Sequence, residues 1–266
     1  VFGLLQLALQ DRQLLVQESQ RLLGLLGLAR QVLAHVFAAD LAQQAVDAVV
    51  VDVEHALRMS AMRQVQFAGR GVGRHGIGQA AQMDVEGGAL WVTHATRSQS
   101  WFNTYANCNF SSYSNADWQT FNAKTMPGTV IETGNLFDNM SVAVDPSNAN
   151  HVFVGSKGNG LLEMRNGVPV KTYRDTNSTL QVGIGNPTQC QVVGIDFDAN
   201  RQLWVLNSLA AEPVNMLSPQ GTWRKYSIPG IPGAPLFGDL TVDSYGQKWI
   251  NVIGNNAPLG SGLVVF

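Results

Sequence analysis

Residues 194–206 read GIDFDANRQLWVL, and this stretch decides the fold of the chain. An alternating apolar run ends in an aspartate, a short polar turn follows, and a tryptophan sits inside a second apolar run. Two short apolar runs joined by a polar turn predict a β-hairpin. The same pattern occurs four times, in AAQMDVEGGALWVTH (80–94), SVAVDPSNANHVFVGS (141–156), VVGIDFDANRQLWVLN (192–207) and GDLTVDSYGQKWINV (238–252).

Each copy carries an aspartate at the end of its first run and an aromatic residue in its second. The aspartates are 61, 51 and 47 residues apart, which is a period typical of propeller blades. A strand-ending aspartate can accept N–H bonds from the turn, and a buried aromatic ring can fill the gap between adjacent blades. We therefore predict structural roles for the residues of this blade motif, which are Asp84, Trp91, Asp145, Phe153, Asp196, Trp204, Asp243 and Trp249.

Further short strands follow each hairpin, so that a repeat holds up to four antiparallel strands. The predicted fold class is all-β, a partial β-propeller of about four blade units with an incomplete ring. The chain begins with Val1 and its last unit ends at Phe266 before a final strand, so we expect a fragment with an exposed sheet edge. The propeller fragment covers 80–266, with blade units at about 80–122, 130–174, 190–228 and 236–266.

Residues 1–79 form a separate, Leu- and Gln-rich segment. Leu and Gln fill 21 of the first 50 positions, and no Thr, Pro, Asn or Lys occurs before Trp91. Apolar residues at helical spacing between Leu22 and Phe37 favour an amphipathic α-helix. Leu and Gln codons can also be reverse complements, so translation of the wrong strand or frame would produce the same bias. Two interpretations stay open: an α-helical N-terminal segment and a mistranslated one.

A glycine-rich motif, GVGRHG (71–76), matches the dinucleotide pattern G-x-G-x-x-G. That site needs a helix after the motif and an acidic residue about 20 positions later. Only seven residues separate the motif from Asp84. The spacing is too short for the helix, so we predict a loop and no cofactor.

Charge and cysteine content exclude several further classes. The net charge of −2 lacks the basic excess of nucleic-acid-binding proteins, and no uncharged apolar run is long enough to predict a membrane span. Cys108 and Cys190 could pair in an oxidising compartment or remain two buried thiols. No Cys or His cluster has the spacing of a metal site.

The turn DFDAN has the acid spacing of a calcium loop at Asp196, Asp198 and Asn200. Arg201 stands where such a loop needs glycine, and Asn207 stands where it needs glutamate. The sequence therefore predicts turn chemistry here rather than a metal site.

An enzymatic propeller would need paired carboxylates or a His or Tyr base that converge on one site. His151 is predicted in a turn, His94 follows a strand, and the repeated aspartates have structural roles. The sequence predicts that the protein is not an enzyme and has no catalytic residues.

Several phrases resemble a known family. VFVGSKGNGLLEMRNG, YRDTNSTLQ, CQVVGIDFDANRQLWVLNS, LSPQGTWRKYSIPG and GQKWINV, followed by GLVVF, occur in this order between residues 130 and 266. They resemble the PorZ-like β-propeller of the type IX secretion system, whose wider relatives are two-component-regulator-propeller-like repeats. The resemblance covers about half of the chain, extends weakly to residue 83, and includes only four blade units.

The resemblance implies a non-enzymatic extracellular scaffold of a type IX secretion or cell-surface attachment complex in Bacteroidetes. Such a protein lies on the extracellular face of the outer membrane and binds surface polysaccharide (anionic lipopolysaccharide) or proteins of the complex, with no nucleic-acid partner. The alternative is the extracellular ligand-sensing propeller of a hybrid two-component regulator. The ligand-binding residues stay unknown, and no signal peptide is visible.

Overall fold

The computed structural model describes residues 80–95, 103–231, 234–253 and 262–266. Within these ranges the protein consists of β-strands and one short helix, and the strands form four sheets in a propeller arrangement. The predicted all-β propeller class is confirmed. The predicted N-terminal segment 1–79, including its helical pattern and the GVGRHG motif, lies outside the described residues.

The first blade is a four-stranded antiparallel sheet in sequence order. Its first hairpin turns at Gly87 and Gly88, whose φ angles of 55° and 80° are both left-handed. A two-residue hairpin turn of this type needs that conformation at both positions, which explains the glycine pair. The strands are β1 (Ala80–Glu86), β2 (Ala89–His94), β3 (Asn109–Ser114) and β4 (Asp117–Asn122).

A one-turn helix, α1 (Val130–Thr133), precedes the second blade. The side chain of Thr129 caps this helix by accepting the backbone N–H of Ile131 over 3.3 Å. The second blade again has its strands in sequence order. They are β5 (Asn139–Asp145), β6 (Asn148–Ser156), β7 (Gly160–Arg165) and β8 (Val168–Tyr173).

The third blade has four strands and the described part of the fourth has three. Those of the third are β9 (Gln191–Phe197), β10 (Leu203–Ser208), β11 (Val214–Leu217) and β12 (Trp223–Tyr226). Those of the fourth are β13 (Leu236–Val242), β14 (Lys248–Ile253) and β15 (Gly262–Val265). Each sheet falls inside one of the blade units expected from the repeat.

The first strands of successive blades, β1, β5, β9 and β13, pack against one another in that order. Gly194 in β9 permits a close approach to β13, because a Cβ atom there would lie 2.4 Å from the backbone N of Leu240. A separation this short excludes any side chain, so glycine is required at this position.

Three clusters of buried apolar side chains fill the three gaps between the blades. Burial of each large side chain contributes about 1.5–3 kcal/mol, so these clusters hold the blades together. Trp91, Phe110 and Phe121 anchor the gap between blades 1 and 2, Phe153 and Leu203 the gap between blades 2 and 3, and Trp204, Phe237 and Ile250 the gap between blades 3 and 4.

Both cysteines are buried free thiols, and they lie in different gaps. Cys108 belongs to the first apolar cluster and Cys190 to the second. Burial raises the pKa of each thiol to about 12. In the part of the chain that the structure describes, no helix has the length and apolar character needed to cross a membrane.

Candidate functional site

Two of the aspartates predicted in the blade motif connect one blade to the next. Oδ2 of Asp84 accepts the backbone N–H of Val144 over 2.8 Å, and Oδ2 of Asp196 accepts that of Val242 over 2.8 Å. Burial raises the pKa of Asp196, and the Val242 bond partly opposes this effect. These two carboxylates bridge blades 1 and 2 and blades 3 and 4.

A second position, two residues further along the first strand, shapes the hairpin turn. Oδ1 of Asp198 accepts the backbone N–H groups of Asn200 and Gln202, both at 2.9 Å. Its Oδ2 accepts the indole N–H of Trp204 over 2.9 Å. Asp243 makes the same three bonds in blade 4, to Tyr245, Gln247 and Trp249. This pattern is the turn chemistry predicted for DFDAN.

The structure therefore separates the four predicted aspartates into two groups. Asp84 and Asp196 pair with the motif tryptophans across the hairpin, whereas Asp145 and Asp243 lie at the turn position. Residues two apart on a strand point to the same face. The two positions consequently look alike in the sequence pattern, although their partners differ.

The predicted aromatic residues mostly lie between blades. Trp91, Phe153 and Trp204 are buried, one in each gap. Lys248 of blade 4 places its ammonium 3.8 Å from the centre of a Trp204 ring, which adds a cation–π contact to that gap. Trp249 is only partly buried.

In blade 2 the turn aspartate has a different partner. His151 contacts Asp145, whereas in blades 3 and 4 a tryptophan indole contacts the turn aspartate. Nδ1 of His151 lies 3.0 Å from Oδ2 of the turn aspartate, Asp145, and Nε2 lies 3.0 Å from Oε1 of Glu163. Ionised carboxylates only accept hydrogen bonds, so a ring nitrogen that carries a proton donates it to the carboxylate beside it. The expected turn location was wrong: His151 lies in β6, between two carboxylates.

Glu163 is an unusual residue for its position in a blade. It pairs with Phe153 across β6 and β7, where blade 3 pairs Trp204 with the apolar Met216. Besides His151, the Glu163 carboxylate accepts the hydroxyl of Tyr173 over 2.8 Å and the Nε and Nη2 groups of Arg165, each over 2.8 Å. A buried charge is tolerated when it is hydrogen-bonded in this way.

Arg201 of blade 3 completes the cluster across the gap. Its Nε and Nη2 groups lie 3.3 Å and 3.1 Å from the two carboxylate oxygens of Asp145, so the pair is bidentate. Arg201 has a left-handed φ of 61°, whereas blade 4 has Gly246, with a φ of 79°, at the same turn position. A non-glycine residue in this conformation costs about 1–2 kcal/mol. The ion pair offsets that strain.

These residues line one open cleft of about 470 Å³ between blades 2 and 3. Its floor is acidic, because the side chains of Asp145 and Glu163 are only 7 % and 8 % exposed. Its rim is cationic, because those of Arg165 and Arg201 are 51 % and 47 % exposed. The apolar wall is made by Phe153, Tyr173, Phe197, Leu203, Leu217 and Pro219.

The hydrogen bonds in the cleft keep its carboxylates ionised. For Glu163, the bond from His151 outweighs burial and, with Tyr173 and Arg165, lowers the pKa to about 2. Burial alone would raise the pKa of Asp145, but bonds from Arg201, Ser147 and His151 together lower it well below its usual value. Burial, together with the Glu163 carboxylate, raises the pKa of Tyr173.

This arrangement suits binding better than proton transfer. A general acid or base works best with a pKa near the working pH, whereas the carboxylates and the phenol are shifted away from neutrality. Both nitrogens of His151 are held by carboxylates. The cleft therefore offers hydrogen-bond donors on its arginines and an apolar wall.

The sequence did not predict this cluster, since Asp145 was assigned to the repeat and His151 to a turn. One signal was present: His151, Glu163 and Arg201 stand where matching positions of other blades have Trp204, Met216 and Gly246. Residues that break the repeat pattern at one blade interface are expected at functional or strained sites.

Comparison with known proteins agrees with the fold. No family model matches the chain, and no curated protein matches it. Among solved structures, PorZ, an essential bacterial surface component of the type IX secretion system of Porphyromonas gingivalis, is similar with a TM-score of 0.58 and 22 % identity. The match covers 70 % of this chain and 24 % of PorZ, so the chain spans about a quarter of that protein.

Two weaker likenesses accompany it. The extracellular domain of a putative hybrid two-component system from B. thetaiotaomicron has a TM-score of 0.43 and 14 % identity, with 71 % of this chain and 20 % of that one covered. Virginiamycin B lyase from Staphylococcus aureus has a TM-score of 0.44 and 14 % identity, with 70 % and 55 % covered. The described part of this chain is thus a set of β-propeller blades that share their fold with PorZ.

Proposed function

We propose that the protein is a non-enzymatic extracellular propeller scaffold of a type IX secretion or cell-surface attachment complex, which binds surface polysaccharide or a protein partner. The observation that carries this proposal is the shared blade fold with PorZ over 70 % of the chain. The ordered sequence phrases between residues 130 and 266 support it. The cleft chemistry agrees, because its ionisable groups are paired with one another and are poorly placed for acid–base catalysis.

Surface location and ligand binding can be tested together. The full-length protein carrying an epitope tag would be exposed to external protease on intact cells, and the purified chain would be passed over immobilised lipopolysaccharide from the same strain. We expect loss of the tag on intact cells and binding that weakens when the polysaccharide chains are removed. An intracellular, protease-protected protein with no affinity for polysaccharide or outer-membrane proteins would contradict the proposal.

The second candidate is the extracellular ligand-sensing propeller of a hybrid two-component regulator, which the repeated aspartate and Leu-Trp-Val hairpin favours. The two candidates differ in the rest of the polypeptide. A membrane-spanning segment followed by a kinase domain in the same reading frame would support the sensor and exclude the scaffold.

A further inference from the structure

We propose that the cleft between blades 2 and 3 is a binding site for a small ligand that carries a carboxylate or phosphate group. The rim arginines, Arg165 and Arg201, would hold the oxyanion, and the aromatic side of the cleft would hold the body of the ligand. The inference does not depend on which surface complex the protein serves.

The first support is the unused hydrogen-bonding capacity of the two arginines. A guanidinium carries five N–H donors in a planar fork. The Nε and Nη2 groups of Arg165 face Glu163, and those of Arg201 face Asp145. The remaining donors lie on side chains that are about half exposed at the cleft. Planar N–H forks of this kind favour carboxylate and phosphate as partners.

The second support is the balance of charge around the cleft. The two carboxylates of the cleft are matched by two guanidinium groups, but the carboxylates are buried and the guanidinium groups are about half exposed. Lys171 adds a further cation at the edge, with its ammonium 4.5 Å from the centre of the Tyr173 ring. The buried acids orient the arginines, while the residual charge that faces solvent is positive. An anion is therefore attracted and a cation is not.

The third support is the backbone conformation of Arg201, which residues other than glycine rarely adopt. Arg201 stays in the left-handed conformation, where the matching turn of blade 4 has Gly246. At this turn position the glycine of blade 4 is replaced by the residue that forms the bidentate pair with Asp145. His151 of blade 2 likewise contacts both carboxylates of this cleft, Asp145 and Glu163.

The fourth support is size and shape. A volume of about 470 Å³ lies within the roughly 300–1,000 Å³ range of small-molecule sites. The accessible lining is more polar than apolar, which suits a ligand with a charged group. Tyr173 and Phe197 are partly exposed here, so their rings are accessible to a ligand whose anionic group contacts the arginines.

The test is isothermal titration of the full chain with four probes: glucuronate, glucose 6-phosphate, inorganic phosphate and glucose. We expect the two anionic sugars to bind at least tenfold more tightly than glucose, with an affinity that falls as salt is added. The relative affinities of glucuronate and glucose 6-phosphate decide between carboxylate and phosphate. Inorganic phosphate measures the contribution of the oxyanion alone.

Variants assign the binding to the cleft. Arg201→Gln and Arg165→Gln should each weaken binding of the anionic sugars at least fivefold, whereas Lys124→Gln, which removes an exposed charge from the turn after β4, should not change it. Phenylglyoxal labelling of the unmodified protein, read by mass spectrometry, needs no variant: the preferred anionic sugar should protect Arg165 and Arg201. Equal affinity for glucose and the anions, no binding at all, or no protection of either arginine would overturn the proposal.

These outcomes are separate from those of the proposed function. A protein that binds glucose 6-phosphate in the cleft but is protected inside the cell would retain this site and lose the scaffold role. A surface protein that binds polysaccharide, but whose Arg165 and Arg201 are not protected from phenylglyoxal, would keep the scaffold role and lose this site.

Discussion

Nε1 of Trp204 donates a hydrogen bond to Oδ2 of Asp198 over 2.9 Å, six residues back along the same hairpin. The indole thus locks the turn that the aspartate shapes while its rings fill the gap between blades. We expect Asp198→Ala to lower the free energy of unfolding by about 1–3 kcal/mol, because a buried indole N–H and two turn amides lose their acceptor. Urea unfolding followed by tryptophan fluorescence measures this loss. Asp243→Ala removes the same three bonds at an exposed turn and should cost less; equal losses would contradict the role of burial.

The bridging carboxylate of Asp196 should control the local stability of blade 4. We expect Asp196→Ala to speed hydrogen exchange at the Val242 amide, because that N–H loses its 2.8 Å acceptor. Asp196→Asn keeps an acceptor oxygen and removes a charge whose burial raises the pKa of the acid, so it should retain most of the protection. Exchange at Val242 that is as slow in Asp196→Ala as in the unmodified protein would show that the bridge contributes nothing.

Gly194 should tolerate no side chain. Its Cβ would lie 2.4 Å from the backbone N of Leu240, so Gly194→Ala must push β9 away from β13. Overpacking of this kind costs about 1–3 kcal/mol, and thermal unfolding should show a lower midpoint. Gly262→Ala is the matched control, because among the described residues no atom beyond its chain neighbours lies within 4 Å of the added Cβ. Equal thermal unfolding midpoints for the two alanine variants would contradict the prediction.

Acid should destabilise the protein through Glu163. The pKa of this carboxyl falls from 4.5 to about 2 on folding, so its contribution is fully present above pH 4.5 and is lost as the pH falls toward 2. Urea midpoints measured across this window should decrease for the unmodified protein. Glu163→Gln should already be less stable at pH 7 and should respond less to acid. An unchanged slope in this variant would rule out Glu163 as the source.

Both cysteines should be unreactive toward thiol reagents in the folded protein. Cys108 and Cys190 are buried, and burial raises their pKa to about 12, so almost no thiolate forms at neutral pH. Ellman's reagent should detect no fast thiol under native conditions and two after unfolding in guanidinium. Two thiols that react at once in the native state would contradict the burial.

The sequence predicted the fold because the repeat is a local pattern. Hairpins with period-two alternation and an aspartate turn identify blades without any long-range information. The site was harder to predict because it depends on which residues face each other across a gap. Arg201 follows Asp145 by 56 positions, and no periodic pattern connects them. The two aspartate positions were likewise indistinguishable until their partners in the next blade were visible.

The three described blade interfaces differ in which of their residues can be replaced independently. The bridges from Asp84 and Asp196 each reach a main-chain amide, which every residue except proline supplies, and Asp196 also accepts the hydroxyl of Thr241. The contact between Asp145 and Arg201 joins two side chains, so replacement of either removes the bidentate pair across the gap. During divergence of related chains, the first and third interfaces can therefore vary residue by residue, whereas the second must change its acid and its arginine together.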